Sequence, residues 1–358
     1  MRPPPAPRRL PPPPARSSGT TKQSLAVARY PSLVKLGLQI NSFTWPGGPE
    51  QIGPTLARIV RQADDVGFDS IWVMDHFFQI RGVGRPEEPM LEGMTALGFM
   101  AAHSKRARLG LMVGGVHYRL PGLWVKATTT LDVLSGGRAW LGIGAAWNED
   151  ESHGLGFPFP PLGDRFEMLE ETLRIAHGMF DGERGTEAEF HGRQFQATRL
   201  MNSPQSLSRP RVPIMVGGGG EKKTLRLVAQ YADACNVFGT PEAIARKYAI
   251  LAEHCAAIGR DPDEIERSTL QDIRIAADGE RVAGATGPGA AAGGGATGAA
   301  RTEVRPTRDS QTGAEIVDRF GDLADAGAQH VIVSLRDLVD PSRLDLVGRD
   351  VIPHLRAL

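Results

Sequence analysis

Several features that mark other classes of protein are missing from this sequence. Its 358 residues include only two cysteines, Cys235 and Cys255, too few for a disulfide scaffold and unsuited to a zinc site. The 41 basic residues are balanced by 41 acidic ones, which argues against binding of nucleic acid or anionic membranes through bulk charge. No apolar run approaches the roughly 18 residues that span a bilayer. We therefore expect a cytoplasmic, enzyme-sized chain that binds neither nucleic acid nor membranes.

The composition is otherwise that of a globular protein, with 41% hydrophobic and 23% charged residues. Two segments depart from it. Residues 1–16 contain eight prolines and four arginines, so we predict that residues 1–33 form a disordered extension. Residues 282–300 are almost entirely glycine and alanine, which predicts a flexible loop over 279–308. Residues 34–358 are then expected to form one domain.

Between these segments, short apolar runs alternate with amphipathic stretches at helical spacing. The runs show no polar alternation, which is typical of parallel strands covered on both faces. Eight such units favour a (β/α)8 TIM barrel over an open doubly wound sheet. The predicted strands are residues 34–40, 70–75, 108–113, 138–143, 213–216, 233–237, 268–275 and 329–335. The predicted helices are residues 53–66, 92–104, 122–134, 164–180, 221–232, 241–258, 312–326 and 341–355.

In such a barrel, chemistry takes place where the strands end, at the carboxyl-terminal face. Asp75 and His76 stand at the end of the second predicted strand. A carboxylate beside a histidine can fix the imidazole for proton transfer. The alternative is a capping aspartate next to a hydrogen-bonded surface histidine, and the residues alone leave both open. Only one of the two side chains can point fully into the barrel mouth, because neighbours in a strand face opposite ways.

A run of four glycines separates the fifth predicted strand from the next helix. Glycine lets backbone N–H groups approach an anion, and the start of a helix adds partial positive charge. A tight turn that needs positive φ is the alternative. Since four glycines exceed what one turn requires, we predict a phosphate-binding loop. The residues are Gly217, Gly218, Gly219 and Gly220, with Glu221, Lys222 and Lys223 opening the predicted helix.

Other chemistries are not indicated. The histidines lack the spacing of a metal site, so no bound metal is expected. Neither a G-x-S-x-G elbow nor a papain-like cysteine motif occurs, and no lysine at a strand end marks a Schiff base. Cys235 falls in a predicted strand and is expected to be a core residue.

Five stretches carry a resemblance to a known family. They are GFDSIWVMDH at 67–76, LGLMV at 109–113, LDVLSGGRAWLGIGAAW at 131–147, GDRFEMLEETLRIA at 163–176 and PIMVGGGGEKKTLRLVAQYADACN at 213–236. The sequence resembles the bacterial luciferase-like (LLM class) oxidoreductases, and within them the actinobacterial branch assigned to the deazaflavin coenzyme F420. The resemblance covers about residues 34–275 and 312–350. It implies a (β/α)8 barrel with an insertion at 181–211, between the fourth and fifth strands, that includes a hairpin at 190–195. Homodimers are common in this family.

The resemblance also implies where a cofactor binds. The flavin-type ring would lie in the barrel mouth against a non-proline cis peptide bond, by position Met112–Val113. The implied catalytic residues are His76, as acid or base, and Asp75. The roles of His117 and Arg119 stay open, because segment 114–121 departs from the family pattern. The residues implied to hold the cofactor are Met112, Val113, Gly114, Gly144, Ala145, Ala146, Trp147, Gly217, Gly218, Gly219, Gly220, Glu221 and Lys222.

Three functions are compatible with these features. The first is hydride transfer between F420 and a small organic substrate. The second keeps the fold but uses reduced FMN and O2, as a luciferase-like monooxygenase. The third is a cofactor-binding protein without turnover. No short motif separates the first two, because both cofactors share the ring-to-phosphate part. The predicted loops are neither charged nor aromatic enough to indicate a class of substrate.

Overall fold

A computed structural model of the chain describes residues 34–277, 280 and 310–357. The predicted extension at 1–33 and the predicted loop at 279–308 lie outside these residues, apart from Glu280. None of the helices in the described part is long and apolar enough to cross a membrane.

Eight parallel strands close into a barrel. The strands of the described residues are β1 Lys35–Ile40, β2 Ser70–Val73, β3 Arg108–Leu111, β4 Gly114–Gly115, β5 Ala139–Gly144, β6 Phe190–His191, β7 Gln196–Ala197, β8 Ile214–Gly217, β9 Ala234–Val237, β10 Glu266–Ile273 and β11 His330–Leu335. Around the barrel the order is β1, β2, β3, β5, β8, β9, β10 and β11, and β11 pairs back with β1. The predicted (β/α)8 barrel is therefore confirmed.

Helices follow the barrel strands and cover their outer face. They are α1 Pro49–Val66, α2 Gly93–His103, α3 Pro121–Ser135, α4 Glu149–Gly154, α5 Leu162–Phe180, α6 Thr224–Tyr231, α7 Pro241–Ala257, α8 Gly313–Asp325, α9 Pro341–Asp350 and α10 Ile352–Leu355. Every residue of β5 and of β11 is buried. Burial on both faces explains why these strands carry no polar alternation.

Large side chains fill the interior of the barrel. Trp72, Met112, Trp140 and Met215 belong to one buried cluster, and the two indole rings lie 6.0 Å apart between centroids. Gly110 makes this packing possible, because a Cβ there would lie 2.5 Å from the Trp72 ring. The filled interior leaves the mouth, at the carboxyl ends of the strands, as the place where a ligand can bind.

A histidine and a carboxylate close the opposite, amino-terminal end of the barrel. Nδ1 of His330 lies 2.7 Å from the Glu266 carboxylate, and Nε2 lies 2.9 Å from the Ser70 hydroxyl. Burial opposes the charge on Glu266, but His330 and Lys35 outweigh it and lower the pKa of Glu266 to about 2. Residues at this end of a barrel serve stability rather than chemistry.

The insertion between the fourth and fifth barrel strands contains the predicted hairpin. Strands β6 and β7 pair in antiparallel fashion, with Phe190 opposite Ala197 and His191 opposite Gln196. The hairpin lies within residues 181–211, between β5 and β8, where the resemblance placed it.

The structure differs from several local predictions. Helix α1 begins at Pro49, not at residue 53, because Pro49 occupies the first turn, where a missing N–H costs nothing. Helix α6 begins at Thr224 rather than Glu221, so a turn separates the glycines from the helix. The third predicted strand is interrupted after Leu111 and resumes as β4. Helix α4 was not predicted.

Candidate active site

The carboxylate of Asp75 is fixed by the segment that follows the third barrel strand. Its oxygens accept hydrogen bonds from the Arg119 guanidinium at 2.6 and 2.8 Å and from the Gly115 N–H at 3.1 Å. Arg119 also donates to Glu92, the N-cap residue of α2. Asp75 is 3% exposed. Since these donors occupy its oxygens, Asp75 holds the ends of β2 and β4 together.

His76 is oriented by a carboxylate 75 residues further along the chain. Its Nδ1 lies 2.5 Å from Oε1 of Glu151 in α4. Glu151 is fully buried, and the Tyr118 hydroxyl donates to the same oxygen at 2.6 Å. The backbone N–H groups of Phe77 and Phe78 donate to Oε2 at 2.7 and 3.2 Å. Each oxygen of this buried carboxylate therefore has two partners.

These partners decide the charge of Glu151. Burial raises the pKa of its carboxyl group, but hydrogen bonds from His76, Tyr118 and the Phe77 N–H outweigh it, so the pKa of Glu151 is lowered. An ionised carboxylate only accepts, so Nδ1 of His76 carries the proton between them. Nε2 has no hydrogen-bond partner in the described part of the chain. Nε2 is therefore the ring atom that is left to exchange a proton with a ligand.

The loop after the fourth barrel strand lies beside His76. The Trp147 indole meets the His76 ring edge-on, with centroids 5.4 Å apart, and is 59% exposed. Ala146 has a φ of 60°, and its carbonyl accepts a hydrogen bond from Arg165 at 3.0 Å. Ala145 packs against the hydrophobic core. This loop and His76 form one side of the mouth.

The peptide bond Met112–Val113 is cis, at the position that the resemblance implied. The Gln39 amide donates to the Met112 carbonyl at 3.3 Å. The Val113 side chain lies between two glycines, because a Cβ on Gly144 or Gly217 would come within 2.9 or 2.7 Å of its methyl groups. Glycine at both positions lets the ends of three neighbouring strands meet around Val113. Gly114 follows it, buried in β4.

Gly217 is the last residue of β8, and the other three glycines form an open loop after it. Gly218 has a φ of 119°, and its N–H donates to the Asn236 carbonyl at 3.0 Å. The backbone N–H groups of residues 219–223 donate to no described residue. A run of unpaired backbone donors is what a phosphate-binding loop requires.

The charged residues directly after the glycines make other contacts. The Glu221 carboxylate accepts a hydrogen bond from Arg246 of α7 at 2.9 Å. Lys222 is exposed. The ammonium group of Lys223 lies 5.2 Å from the centroid of the Phe166 ring. Within the described residues, none of the three side chains forms a hydrogen bond with the glycine loop.

A lysine of α7 supplies positive charge at this loop instead. Nζ of Lys247 donates to the Gly219 carbonyl at 2.7 Å. Lys247 was not predicted from the sequence, because it lies 28 residues after Gly219 and inside an ordinary amphipathic helix. Only the barrel topology, which sets α6 and α7 side by side, indicates it.

Direct contacts join most of the predicted site residues into one region. Val113 links the ends of the third, fourth and fifth barrel strands, and His76 contacts Trp147. Asp75 lies in the same region but pairs with Arg119. The missed residue Glu151 had one visible sign, the acidic stretch at 149–151 directly after the fourth strand. In the part of the chain that is described, no three His, Cys, Asp or Glu side chains gather as a metal site.

Both the barrel and its strand-end residues point to one known family. The family model for luciferase-like monooxygenases matches residues 38–330. The chain belongs to the luciferase-like monooxygenase family. The predicted family is thereby confirmed, and the match includes all the site residues described above.

Curated relatives in actinobacteria have a common name. The F420-dependent glucose-6-phosphate dehydrogenase of Nakamurella multipartita is 29% identical over 247 residues, which cover 67% of this chain and 68% of that protein. The protein of the same name from Kineococcus radiotolerans is 33% identical over 175 residues, which cover 48% of this chain and 49% of that protein. The match therefore spans about half of the Kineococcus protein.

Three solved structures share the fold of this family member. The coenzyme F420-dependent tetrahydromethanopterin reductase of Methanopyrus kandleri aligns with a TM-score of 0.69 at 19% identity, over 90% of this chain and 99% of its own. An F420-dependent secondary alcohol dehydrogenase, in complex with an F420–acetone adduct, aligns with a TM-score of 0.70 at 17% identity. The alignment covers 90% of this chain and 99% of that protein. The oxygenating constituent of a Pseudomonas putida 3,6-diketocamphane monooxygenase, in complex with FMN, aligns with a TM-score of 0.64 at 17% identity. The alignment covers 90% of this chain and 98% of that protein.

Proposed function

We propose that this protein is an oxidoreductase that transfers a hydride between coenzyme F420 and a small organic substrate bound in the barrel mouth. The observation that carries the proposal is the His76–Glu151 pair, whose Nε2 has no partner among the described residues and lies at the strand ends. The curated relatives named above are F420-dependent enzymes, which favours F420 over FMN.

The residues around the mouth fit a deazaflavin with a phosphate-bearing side chain. A Cβ on Gly219 would lie 2.7 Å from Nζ of Lys247, and one on Gly220 would lie 2.8 Å from the Thr224 hydroxyl. Glycine at both positions keeps the backbone donors of 219–223 open to an anion. Lys247 adds a positive charge at the same place. We propose that this loop holds the phosphate.

A bound deazaflavin supplies a carbon centre that accepts or gives a hydride. The residues of this chain handle the accompanying proton. His76 takes up or returns it at Nε2, while Glu151 keeps Nδ1 protonated and the ring in place. For Asp75 we propose a positioning role, exerted through Arg119 and Gly115, in place of the catalytic role expected from the sequence.

The substitution Glu151→Gln tests the orientation of His76. An amide has one oxygen and one NH2 group, so it cannot accept on both sides as Glu151 does. The backbone N–H groups of Phe77 and Phe78 need the remaining oxygen, so the NH2 group faces His76. Nδ1 then becomes an acceptor, and the proton moves to Nε2. We expect turnover to fall by roughly 10- to 10³-fold with little change in F420 affinity.

The tautomer of His76 can be followed directly, from the 15N chemical shifts of its ring nitrogens. Glu149→Gln is the matched control, because it changes a 62% exposed carboxylate on the same helix. We expect Glu151→Gln, but not the control, to move the proton from Nδ1 to Nε2. An unchanged tautomer together with unchanged turnover would show that Glu151 does not orient His76.

The proposed cofactor is tested by titrating the purified protein with F420 and with FMN, each oxidised and reduced. Absorbance and ligand fluorescence report binding. We expect low-micromolar affinity for F420 and much weaker binding of FMN. A preference for reduced FMN would overturn the proposal in favour of a monooxygenase, for which oxygen consumption is the next assay. If the protein binds neither cofactor, the family and the fold stand, but the proposed function is wrong.

Screening F420-loaded protein against hydride donors and acceptors then separates an enzyme from a cofactor-binding protein. An enzyme changes the F420 absorbance with at least one of them. A protein that binds F420 but never changes its redox state would be a carrier or sensor. The homodimer and the cytoplasmic location expected from the sequence stay predictions.

A further inference from the structure

One arginine at the rim of the mouth is buried without an acidic partner. Arg165 of α5 is 7% exposed, yet within the described ranges no carboxylate lies within ion-pair distance of its guanidinium. Nη1 donates to the Ala146 carbonyl at 3.0 Å, and Nε is buried with no hydrogen-bond partner. One face of the guanidinium lies on the Phe159 ring, with Cζ 4.0 Å from the centroid. Glu149 acts on it only through longer-range attraction.

His117 also lies against the Phe159 ring, and among the described residues no group donates a hydrogen bond to its Nδ1. Its ring meets Phe159 edge-on, 5.4 Å between centroids, and its Nε2 lies 2.8 Å from Oγ of Ser152. The Ser152 hydroxyl donates to the Asn148 carbonyl, so Nε2 of His117 carries the proton and Nδ1 is an acceptor. Nδ1 is buried and has no hydrogen-bond partner among the residues that the structure describes.

Among the described residues, the charge of Arg165 has no ion-pair partner. Burial and the positive charge of Arg165, opposed by Glu151, lower the pKa of His117 to about 4, so His117 is neutral at pH 7. Burial also lowers the pKa of Arg165, but a guanidinium keeps its charge in proteins. A buried charge with unused donors is costly unless an anion pairs with it. Water can satisfy the unused polar atoms here, but it does not offset the charge.

We propose that Arg165 and His117 form a subsite for an anionic group of the substrate, a carboxylate or a phosphate. The planar guanidinium matches the oxygens of either group. Nδ1 of His117 accepts from a protonated oxygen or from a neighbouring hydroxyl. The assignment to the substrate rests on the proposed function, whereas the binding of an anion does not.

The position of the subsite favours the substrate as its occupant. Arg165 holds the carbonyl of Ala146, and the next residue, Trp147, contacts the ring of His76. An acid group bound at Arg165 therefore lies on the side of the mouth that His76 serves. The donors proposed for the cofactor phosphate, residues 219–223, follow a different strand, β8.

The anion site is tested on the protein without cofactor, with inorganic phosphate and with acetate at pH 7. Either anion should give a saturable shift of the His117 13Cε1–1H resonance, which His117→Gln identifies by its loss. Arg165→Met should weaken this response about tenfold or more, and Arg165→Lys should retain part of it. Arg174→Met is the matched control, because Arg174 of the same helix lies 5.0 Å over the Phe190 ring but is exposed.

Two results would overturn the anion site: no response in the wild-type protein, or an equal response in Arg165→Met. Thermal unfolding checks that this variant is folded, and Arg165→Lys, which keeps the charge, serves if it is not. If phosphate shifts His117 but F420 does not bind, the anion site stands and the proposed function fails.

The cofactor is a second possible source of the anion, since F420 carries a phosphate. Titration of Arg165→Met with F420 and with its phosphate-free deazaflavin chromophore separates the two sources. We expect the affinity for both ligands to match that of the wild type. A loss of affinity confined to F420 would assign the anion to the cofactor and overturn the assignment to the substrate.

Discussion

His76→Ala is expected to lower turnover with F420 by roughly 10²- to 10⁴-fold, with F420 affinity changed by no more than a few-fold. The imidazole is held through Nδ1 by Glu151 and by its edge contact with Trp147, which leaves Nε2 as the proton-exchanging atom. Its removal deletes the proposed proton carrier. The loop at 217–220 and Lys247, which are proposed to hold the cofactor, remain.

Turnover is measured as the change in F420 absorbance with a donor or acceptor found by screening, and affinity by fluorescence titration. His153→Ala is the control, since His153 is 63% exposed and its nearest carboxylate, Glu149, lies 3.9 Å away. His76→Gln keeps a hydrogen-bond donor toward Glu151, so it tests the same role if His76→Ala does not fold. Equal turnover in wild type and His76→Ala would remove His76 from the chemistry.

The strands could be predicted from the sequence more closely than the starts of the helices. A barrel strand is buried on both faces, so its apolar run is visible without knowledge of its neighbours. A helix start depends on its cap. Thr312 and Glu315 form a capping box, and the predicted start of α8 is within one residue of the observed one. Lys223 provides no side-chain cap for α6, and the start predicted at Glu221 was wrong.

The sequence indicated Asp75 and His76 as candidates at a strand end, but it did not indicate their partners. Asp75 and His76 are adjacent in the chain, yet Asp75 pairs with Arg119, 44 residues later, and His76 with Glu151. These pairings depend on which strand ends lie side by side in the closed barrel. Glu151 stands in a helix of six residues, too short to show a periodicity that would separate it from the exposed Glu149.

Arg165 and Lys247, which we propose to bind anionic groups, were missed for a related reason. Specificity was expected in the predicted loops, which carry little charge. Arg165 lies in the first turn of α5 and Lys247 lies within α7. Helices that follow barrel strands begin at the rim of the mouth, so a first-turn residue such as Arg165 lies near the loops of the site.

Gly219→Val is expected to weaken F420 binding by roughly 10²-fold or more, because hydrogen bonds to a charged group contribute about 1.5–3 kcal/mol each. A Cβ at this position lies 2.7 Å from Nζ of Lys247, and the branched side chain covers the N–H groups of 219–223. Adding a bulky residue at Gly218, whose φ is 119°, should abolish binding, but it also strains the backbone. The single variant is therefore the cleaner probe.

The measurement is a fluorescence titration with F420 alongside thermal unfolding. Gly122→Val is the control, since a Cβ on that exposed glycine meets nothing within 4 Å. The flexible Lys247 side chain can move aside in Gly219→Val, so we expect binding to fall while the unfolding temperature stays near that of the wild type. Unchanged F420 affinity in a folded variant would rule out the phosphate loop. If Gly219→Val unfolds, Lys247→Ala, which leaves the loop backbone intact, should still weaken F420 binding.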